Sequence, residues 1–159
     1  MKKIIVISDT HGQNEILNTL VMQHQDAYAF LHLGDLEDNE KLYPRFKIVR
    51  GNNDYFCDLP RWTTLKVDDH RIFMLHSEGY YGQARYQGLS YLAKQTECDI
   101  VLYGHTHRKD HSEYDGITFI NPGSATFPRD GSSSYAILNI DKENIDVQFV
   151  EIESPFRYY

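Results

Sequence analysis

Ile4-Ile5-Val6-Ile7-Ser8-Asp9-Thr10-His11 begins as an unbroken apolar run and ends in an Asp-x-His. A short run of β-branched residues bounded by polar ones reads as a strand buried on both faces, as in a parallel sheet. On an extended segment, residues i and i+2 point the same way, so Asp9 and His11 can bind one cation. Alone the pair is weak evidence. The same residues also read as a helix entry, because His11-Gly12 precedes a helical stretch.

The junction recurs along the chain. Phe30-Leu31-His32-Leu33 runs into Gly34-Asp35, and Phe46-Lys47-Ile48-Val49 leads to Gly51-Asn52-Asn53-Asp54. Ile72-Phe73-Met74-Leu75 ends at His76, and Ile100-Val101-Leu102-Tyr103 at Gly104-His105-Thr106-His107. Singly, the Gly-Asp and Gly-Asn-Asn-Asp pieces are also ordinary turn chemistry, and His76 also reads as a polar strand end. The Gly-His-x-His is the most specific piece: paired imidazoles after a buried strand, with a glycine allowing close backbone approach, form a metal-ligand pattern. Packing does not explain oxygen and imidazole donors repeated at strand ends, because cores avoid buried polar atoms. One converging metal site does.

Between the first strands lie helical signals. Asn14–His24 carries Ile16, Leu17, Leu20 and Val21 at helical spacing with Asn14 as N-cap, and a shorter helical stretch falls around Glu37–Leu42. Strand–helix–strand units of this length predict a parallel sheet with right-handed crossovers. Thr63–Val67 and Arg71–Leu75, joined by Asp68-Asp69-His70, predict a hairpin, and Gln83–Lys94 a helix turning Leu89, Leu92 and Ala93 inward. The last third carries strand signals only: Thr118–Ile120, Tyr135–Asn139 and Asp146–Ile152, with turns at Asp115-Gly116 and around Asp130-Gly131. The predicted fold is α/β: two mixed β-sheets packed face to face and flanked by helices, forming one domain over residues 1–159. Functional loops then belong at the C-terminal ends of the parallel strands.

With 41% hydrophobic and 25% charged residues, the chain is ordinary for a soluble globular protein. Its formal charge of -7, without any Lys/Arg-rich run, argues against an extended nucleic-acid footprint. No apolar run reaches membrane-spanning or signal-peptide length, and Cys57 and Cys98 are too few for a disulfide framework. A cytoplasmic protein with reduced thiols, away from membranes, is the expectation.

In order and strand context, the motifs from Asp9 to His107 resemble the calcineurin-like metallophosphoesterases: D-x-H, G-D, G-N-x-D/E, H, G-H-x-H. The chain's size and its Asn121-Pro122-Gly123-Ser124 segment make it similar to the compact bacterial and archaeal phosphodiesterase subfamily. The resemblance implies the four-layer sandwich of that family and two divalent metal ions, Mn²⁺ first, with Fe, Ni or Zn as alternatives. It assigns Asp9, His11, Asp35 and His107 to one metal, and a bridging Asp35 with Asn52, His76 and His105 to the other. It places Asp35, Asn52, Asn53 and Asp54 in the catalytic apparatus, Asp54 by fixing the Asn52 turn. The mixed oxygen and imidazole donors, without thiolate, suit such ions. The implied reaction is phosphodiester hydrolysis by in-line attack of a metal-bridging hydroxide, with the ions about 3.5–4 Å apart. The implied substrate is a small phosphodiester or nucleotide-like molecule.

Departures from the family pattern stand out at Asn53 and Ser77. Many members carry His where Asn53 stands; an amide can hydrogen-bond a phosphate but cannot protonate a leaving group. Ser77 replaces the usual Gly after the strand-end His, so the Ser77–Gly82 loop with Tyr80 and Tyr81 is either a source of substrate contacts or a plain surface loop. His32 reads as a core or ligand-supporting residue ahead of ligation. His24, His70 and His111 read as surface residues, His111 also being a candidate proton donor. Asn121–Ser124 shapes a turn near the site, with phosphate contact as a further option. The 12 tyrosines, Tyr158-Tyr159 among them, fit either a homo-oligomer surface or simple strand propensity.

Two rival readings remain. One is a non-catalytic metal-binding scaffold for protein association on the same fold, like the retromer subunit that resembles phosphoesterases. Such a scaffold is expected to have lost ligands, whereas the full set is present here. The other is a phosphomonoesterase or nucleotide phosphatase, differing only in substrate.

Overall fold

The apolar runs form the strands expected of them in the computed structural model, which describes residues 1–55 and 57–153. The first sheet joins β1 (Lys2–Ile7), β2 (Ala29–His32), β3 (Phe46–Ile48), β9 (Ser134–Ile140) and β10 (Ile145–Glu151) in the order β10-β9-β1-β2-β3. The second joins β4 (Trp62–Val67), β5 (His70–Leu75), β6 (Ile100–Tyr103), β7 (Lys109–Tyr114) and β8 (Ile117–Pro122) in the order β4-β5-β6-β8-β7. Strands β1, β2 and β3 run parallel, as do β5, β6 and β8; hairpin partners β4, β7, β9 and β10 pair antiparallel.

Alternation along each strand divides the core into layers. Ile4 and Val6 join Leu31, Met74, Leu102 and Leu138 between the sheets. Ile5 and Ile7 face outward onto Leu17 and Leu20 of α1 (Glu15–Gln23). On the far side, Phe73, Val101 and Phe119 pack against Leu89 and Ala93 of α2 (Gly82–Gln95). Each fully buried aliphatic side chain is worth about 1.5–3 kcal/mol, which is why β1, apolar on both faces, is central. Among the described residues, no helix is long and apolar enough to cross a membrane.

Several local expectations are corrected. Asn14 sits at the N-cap position but makes no side-chain cap; its Nδ2 donates instead to Leu36 O at 3.0 Å. The Glu37–Leu42 stretch shrinks to a 3₁₀ turn, Glu40–Leu42, capped by Asn39. His70 belongs to β5 and pairs with Val67 rather than lying in the turn. Leu92 is only partly buried. Strand β7 carries no apolar run to announce it, and Tyr158-Tyr159 lie outside the described residues.

Candidate metal centre

Strand pairing continues past the strand ends and brings the motifs together. Asp9 N donates to Gly34 O (3.0 Å), His11 N to Asp35 O (2.9 Å) and Gly12 N to Leu36 O (3.0 Å), so the Asp-x-His and Gly-Asp loops are zipped side by side. Gly104 N donates to His76 O (3.2 Å), and His105 N reaches across to Asp9 Oδ2 (3.2 Å), tying the second sheet's rim to the first. A Cβ at Gly104 would strike Ser8 Oγ and Asp9 Oδ2, so only glycine permits this approach.

The result is two neighbouring groups of ligand atoms, Asp9–His11–His107 and Asp9–Asp35–His76. Asp9 Oδ1 lies 3.3 Å from His107 Nε2 and 3.7 Å from both His11 Nε2 and His76 Nε2. Asp35 Oδ2 lies 3.3 Å from His76 Nε2 and 3.9 Å from His11 Nε2, so its carboxylate faces both groups. His105 Nδ1 is 3.3 Å from His76 Nε2. Asp9 is thus as central as Asp35, a sharing the family pattern does not assign to it. Asn52 is exposed in the turn beside them.

The ring nitrogens facing the centre are the ones left to bind a cation, because the opposite nitrogens are engaged elsewhere. His76 Nδ1 donates to Leu33 O (2.8 Å), His107 Nδ1 to Phe127 O (2.6 Å) and His11 Nδ1 to the Glu37 carboxylate. Holding the outer N–H fixes the tautomer and aims the Nε2 lone pair inward, the usual support of a ligating imidazole. Asp9 Oδ2 accepts from Ser8 Oγ at 2.6 Å, while the buried Oδ1 has no hydrogen-bond partner. An orphaned buried carboxylate oxygen is costly unless a cation meets it. The residues present therefore fit a bound metal.

Titration behaviour agrees. Burial would raise the carboxyls of Asp9 and Asp35, but facing imidazoles outweigh it, with help from Ser8 at Asp9 and from Asn53 at Asp35, and hold both below the usual range. Burial would lower His76, yet Asp35 and Asp9 push it up to about 9. The field around these carboxylates calls for positive charge, and in the bare protein a proton on His76 supplies it.

The turn expected at Asn121–Ser124 lies near the site, while Thr126 and Glu37 are supports that sequence reasoning did not name. Ser124 Oγ and Thr126 Oγ1 each donate to Asp9 O at 3.1 Å. Asn121 is fully buried, with Nδ2 on Gly104 O and Thr106 Oγ1 and Oδ1 on Gly123 N, and Ser124 is equally buried. The Asn121–Ser124 segment is thus a brace beneath the site, which removes the option of phosphate contact through those side chains. Glu37 had one signal, its spacing two residues after Asp35. His32 is a supporting residue as expected, accepting from Gly34 N at 3.1 Å and meeting Thr10 Oγ1 at 2.9 Å. His111 is exposed on β7. His24 and His70 are half-buried rather than surface groups, on Tyr135 and Lys3 and on Asp99 respectively.

Asp54 takes a different position from a reacting group. Its Oδ2 accepts from Asp35 N (2.9 Å) and Gly51 N (2.7 Å), and its Oδ1 from Glu37 N (2.8 Å). The carboxylate is filled by backbone and pins the Gly-Asp loop to the Gly-Asn-Asn-Asp turn.

A two-sheet sandwich whose parallel strands end in clustered carboxylates and imidazoles defines a metallophosphoesterase. The chain belongs to the calcineurin-like phosphoesterase superfamily, whose domain matches residues 1–143. It is 32% identical to a probable metallophosphoesterase of Methanothermobacter thermautotrophicus over 94% of this chain and 92% of that one. It is 26% identical to the phosphodiesterase MJ0936 of Methanocaldococcus jannaschii, covering 89% and 95% of the two. A crystal structure of a predicted phosphoesterase from Streptococcus pneumoniae TIGR4 superposes with a TM-score of 0.87 at 30% identity, covering 94% of this chain and 89% of that one. Chaetomium thermophilum Vps29 shares the fold, with a TM-score of 0.74 at 24% identity over 97% of this chain and 98% of its own.

Proposed function

We propose that this protein is a metal-dependent phosphodiesterase that holds two divalent ions and hydrolyses a small phosphodiester or nucleotide-like substrate by in-line attack. The observation that supports it best is the pair of buried carboxylates, Asp9 and Asp35, faced by imidazole nitrogens whose opposite ring nitrogens are already engaged. Asp9, His11, Asp35 and His107 would hold one ion; Asp35, Asn52, His76 and His105 the other. Mn²⁺ suits this donor set first, then Fe, Ni or Zn. When bound, such ions would lower the pKa of a water towards neutrality and offset negative charge on the phosphate.

The chain's own residues supply the preorganisation. Leu33 O, Glu37 and Phe127 O keep His76, His11 and His107 in the donor tautomer, and Asp54 fixes the loop carrying Asp35. Asn53 offers no proton to a leaving group. Lack of acid catalysis costs roughly 10²–10⁴-fold on poor leaving groups and much less on acidic ones. Aryl diesters are therefore expected to turn over clearly faster than alkyl diesters. With no nucleophilic side chain required, hydrolysis inverts configuration at phosphorus, which chiral thiophosphate substrates report. The diester preference draws on the likeness to MJ0936.

The deciding assay strips the protein of metal, reloads it with Mn²⁺, Ni²⁺, Zn²⁺ or Mg²⁺, and offers an aryl diester, an aryl monoester and 2′,3′-cyclic nucleotides. Metal-dependent turnover, fastest on a diester, is expected; none on any substrate sinks the enzyme reading, and a monoester preference replaces diesterase with phosphatase. Asp35→Asn is expected to abolish turnover and empty at least one metal position.

A further inference from the structure

The Asn53 side chain turns back onto the Asp35 carboxylate. Asn53 N donates to Asp35 Oδ1 at 2.9 Å, and Asn53 Nδ2 donates to Asp35 Oδ2 at 3.0 Å. We infer that Asn53 is a positioning residue for the metal pair, clamping the Asp35 carboxylate through its backbone and side-chain N–H groups, and does not contact the phosphate. The inference rests on the proposed function above.

The surroundings of Asp35 support the clamp. The last torsion of an aspartate is soft, so an unsupported carboxylate turns over a broad range. Here both oxygens are held by donors from one residue, which fixes the plane of the carboxylate. The backbone is held as well, since Asp54 accepts from Asp35 N and from Gly51 N. Gly51 is packed so tightly on Asp35 that a Cβ there would strike its Oδ1 and its backbone nitrogen. The Gly51–Asp54 turn is thus a mould for one aspartate: Gly51 makes room, Asp54 holds the main chain and Asn53 the side chain. An ionised carboxylate offers about four acceptor directions. Asn53 takes one on each oxygen and leaves the rest towards His76 Nε2 and His11 Nε2, at 3.3 and 3.9 Å from Oδ2. One N–H of the amide is committed to Asp35 Oδ2; the second is the donor that the phosphate inhibition constants below test.

Supporting residues of this kind change metal affinity by about 10–100-fold when removed. Asn53→Leu keeps the size and removes the side-chain donor; Asn53→Ala removes it with less risk of a clash in the half-buried turn. Both keep the backbone donor. The experiment is a calorimetric titration of metal-stripped wild type and both variants with Mn²⁺ alone, followed by inhibition constants for inorganic phosphate at saturating Mn²⁺. The clamp predicts Mn²⁺ binding weakened at least about tenfold in both variants, with phosphate inhibition within about twofold of wild type. Wild-type Mn²⁺ affinity in a folded variant overturns the inference, as does a tenfold loss of phosphate affinity at saturating Mn²⁺. A wild-type protein that takes up no Mn²⁺ sinks the functional reading itself, an outcome separate from a failure of the Asn53 assignment.

Discussion

Several of the candidate ligands occupy a backbone region that side chains other than glycine avoid. Asp9 (φ 56°), His11 (48°), Asp35 (58°), His105 (73°) and His107 (60°) are all left-handed. Each such residue costs about 1–2 kcal/mol, and clustering of that strain at one rim marks it as a functional site rather than a set of turns. The residue types were legible in the sequence because the chemistry dictates them; their conformation was not, because no propensity places Asp or His there in series. Ser77 shares the strain, at φ 82°, and its Oγ donates to Gly104 O at 3.2 Å. Ser77→Ala keeps the strained backbone and loses the bond, so it is expected to cost about 1 kcal/mol, or about 2–4 °C in melting temperature. Ser77→Gly loses the same bond but relieves the backbone, so it should melt within about 2 °C of wild type. An alanine variant that melts like wild type would remove the hydrogen bond from this account. His32 carries a pH dependence. Burial pushes its pKa down from 6.5 to about 4, against the attraction of Asp9. The unfolded chain therefore takes up a proton near pH 6.5, and the folded chain only near 4. The contribution is fully present above pH 6.5 and is lost as pH falls from there to 4, about 3 kcal/mol over the window. NMR of the imidazole nitrogens in metal-stripped protein should find His32 neutral at pH 5; titration near 6.5 would contradict it.

At the scale of elements, legibility followed burial. Strands β1, β2, β5 and β6 are apolar runs because both faces are covered, and their reading needed only the run and its polar end. Strand β7, Lys-Asp-His-Ser-Glu-Tyr, is a half-exposed edge with nothing to alternate against, so composition hid it. The Asp115-Gly116 turn was its one announcement, both residues lying at positive φ as a tight hairpin requires. The inter-sheet contact at the rim was equally hidden, since it depends on which strand ends meet in space. Gly104 tests that contact against ordinary packing. Gly104→Ala drives a methyl group into Ser8 and Asp9 and should weaken Mn²⁺ binding at least about tenfold, in the range of a disturbed ligand support. Leu89→Ala, in the core between α2 and the second sheet, should cost about 2–5 kcal/mol of stability while leaving Mn²⁺ affinity near that of wild type. Equal effects of the two on metal binding would mean that the rim is not set separately from the core.

For the whole molecule, the fold gathers two buried carboxylates and leaves one of their oxygens unpartnered, an arrangement that opposes folding unless positive charge arrives. In the bare protein that charge is a proton on His76; a divalent ion is the stronger substitute. Metal binding and folding are then linked, because the unfolded chain cannot assemble ligands drawn from loops as distant in sequence as Asp9 and His107. A site filled at 100 times its dissociation constant adds about 2.7 kcal/mol. For a chain of this length each kcal/mol is about 2–4 °C of melting temperature, so one filled position is worth roughly 5–10 °C and two proportionately more. Mn²⁺ added to stripped protein is expected to raise the melting temperature in that range, and Asp35→Asn to remove at least one position's share. The variant also loses the carboxylate that His76 and Asn53 hold ionised, so its stripped form is expected to melt below stripped wild type, and the metal's share is read from the shift that Mn²⁺ adds to each protein. Stripped and loaded wild type melting together would mean that the buried carboxylates are compensated within the protein itself, and the case for a metal at this rim would fall with that result.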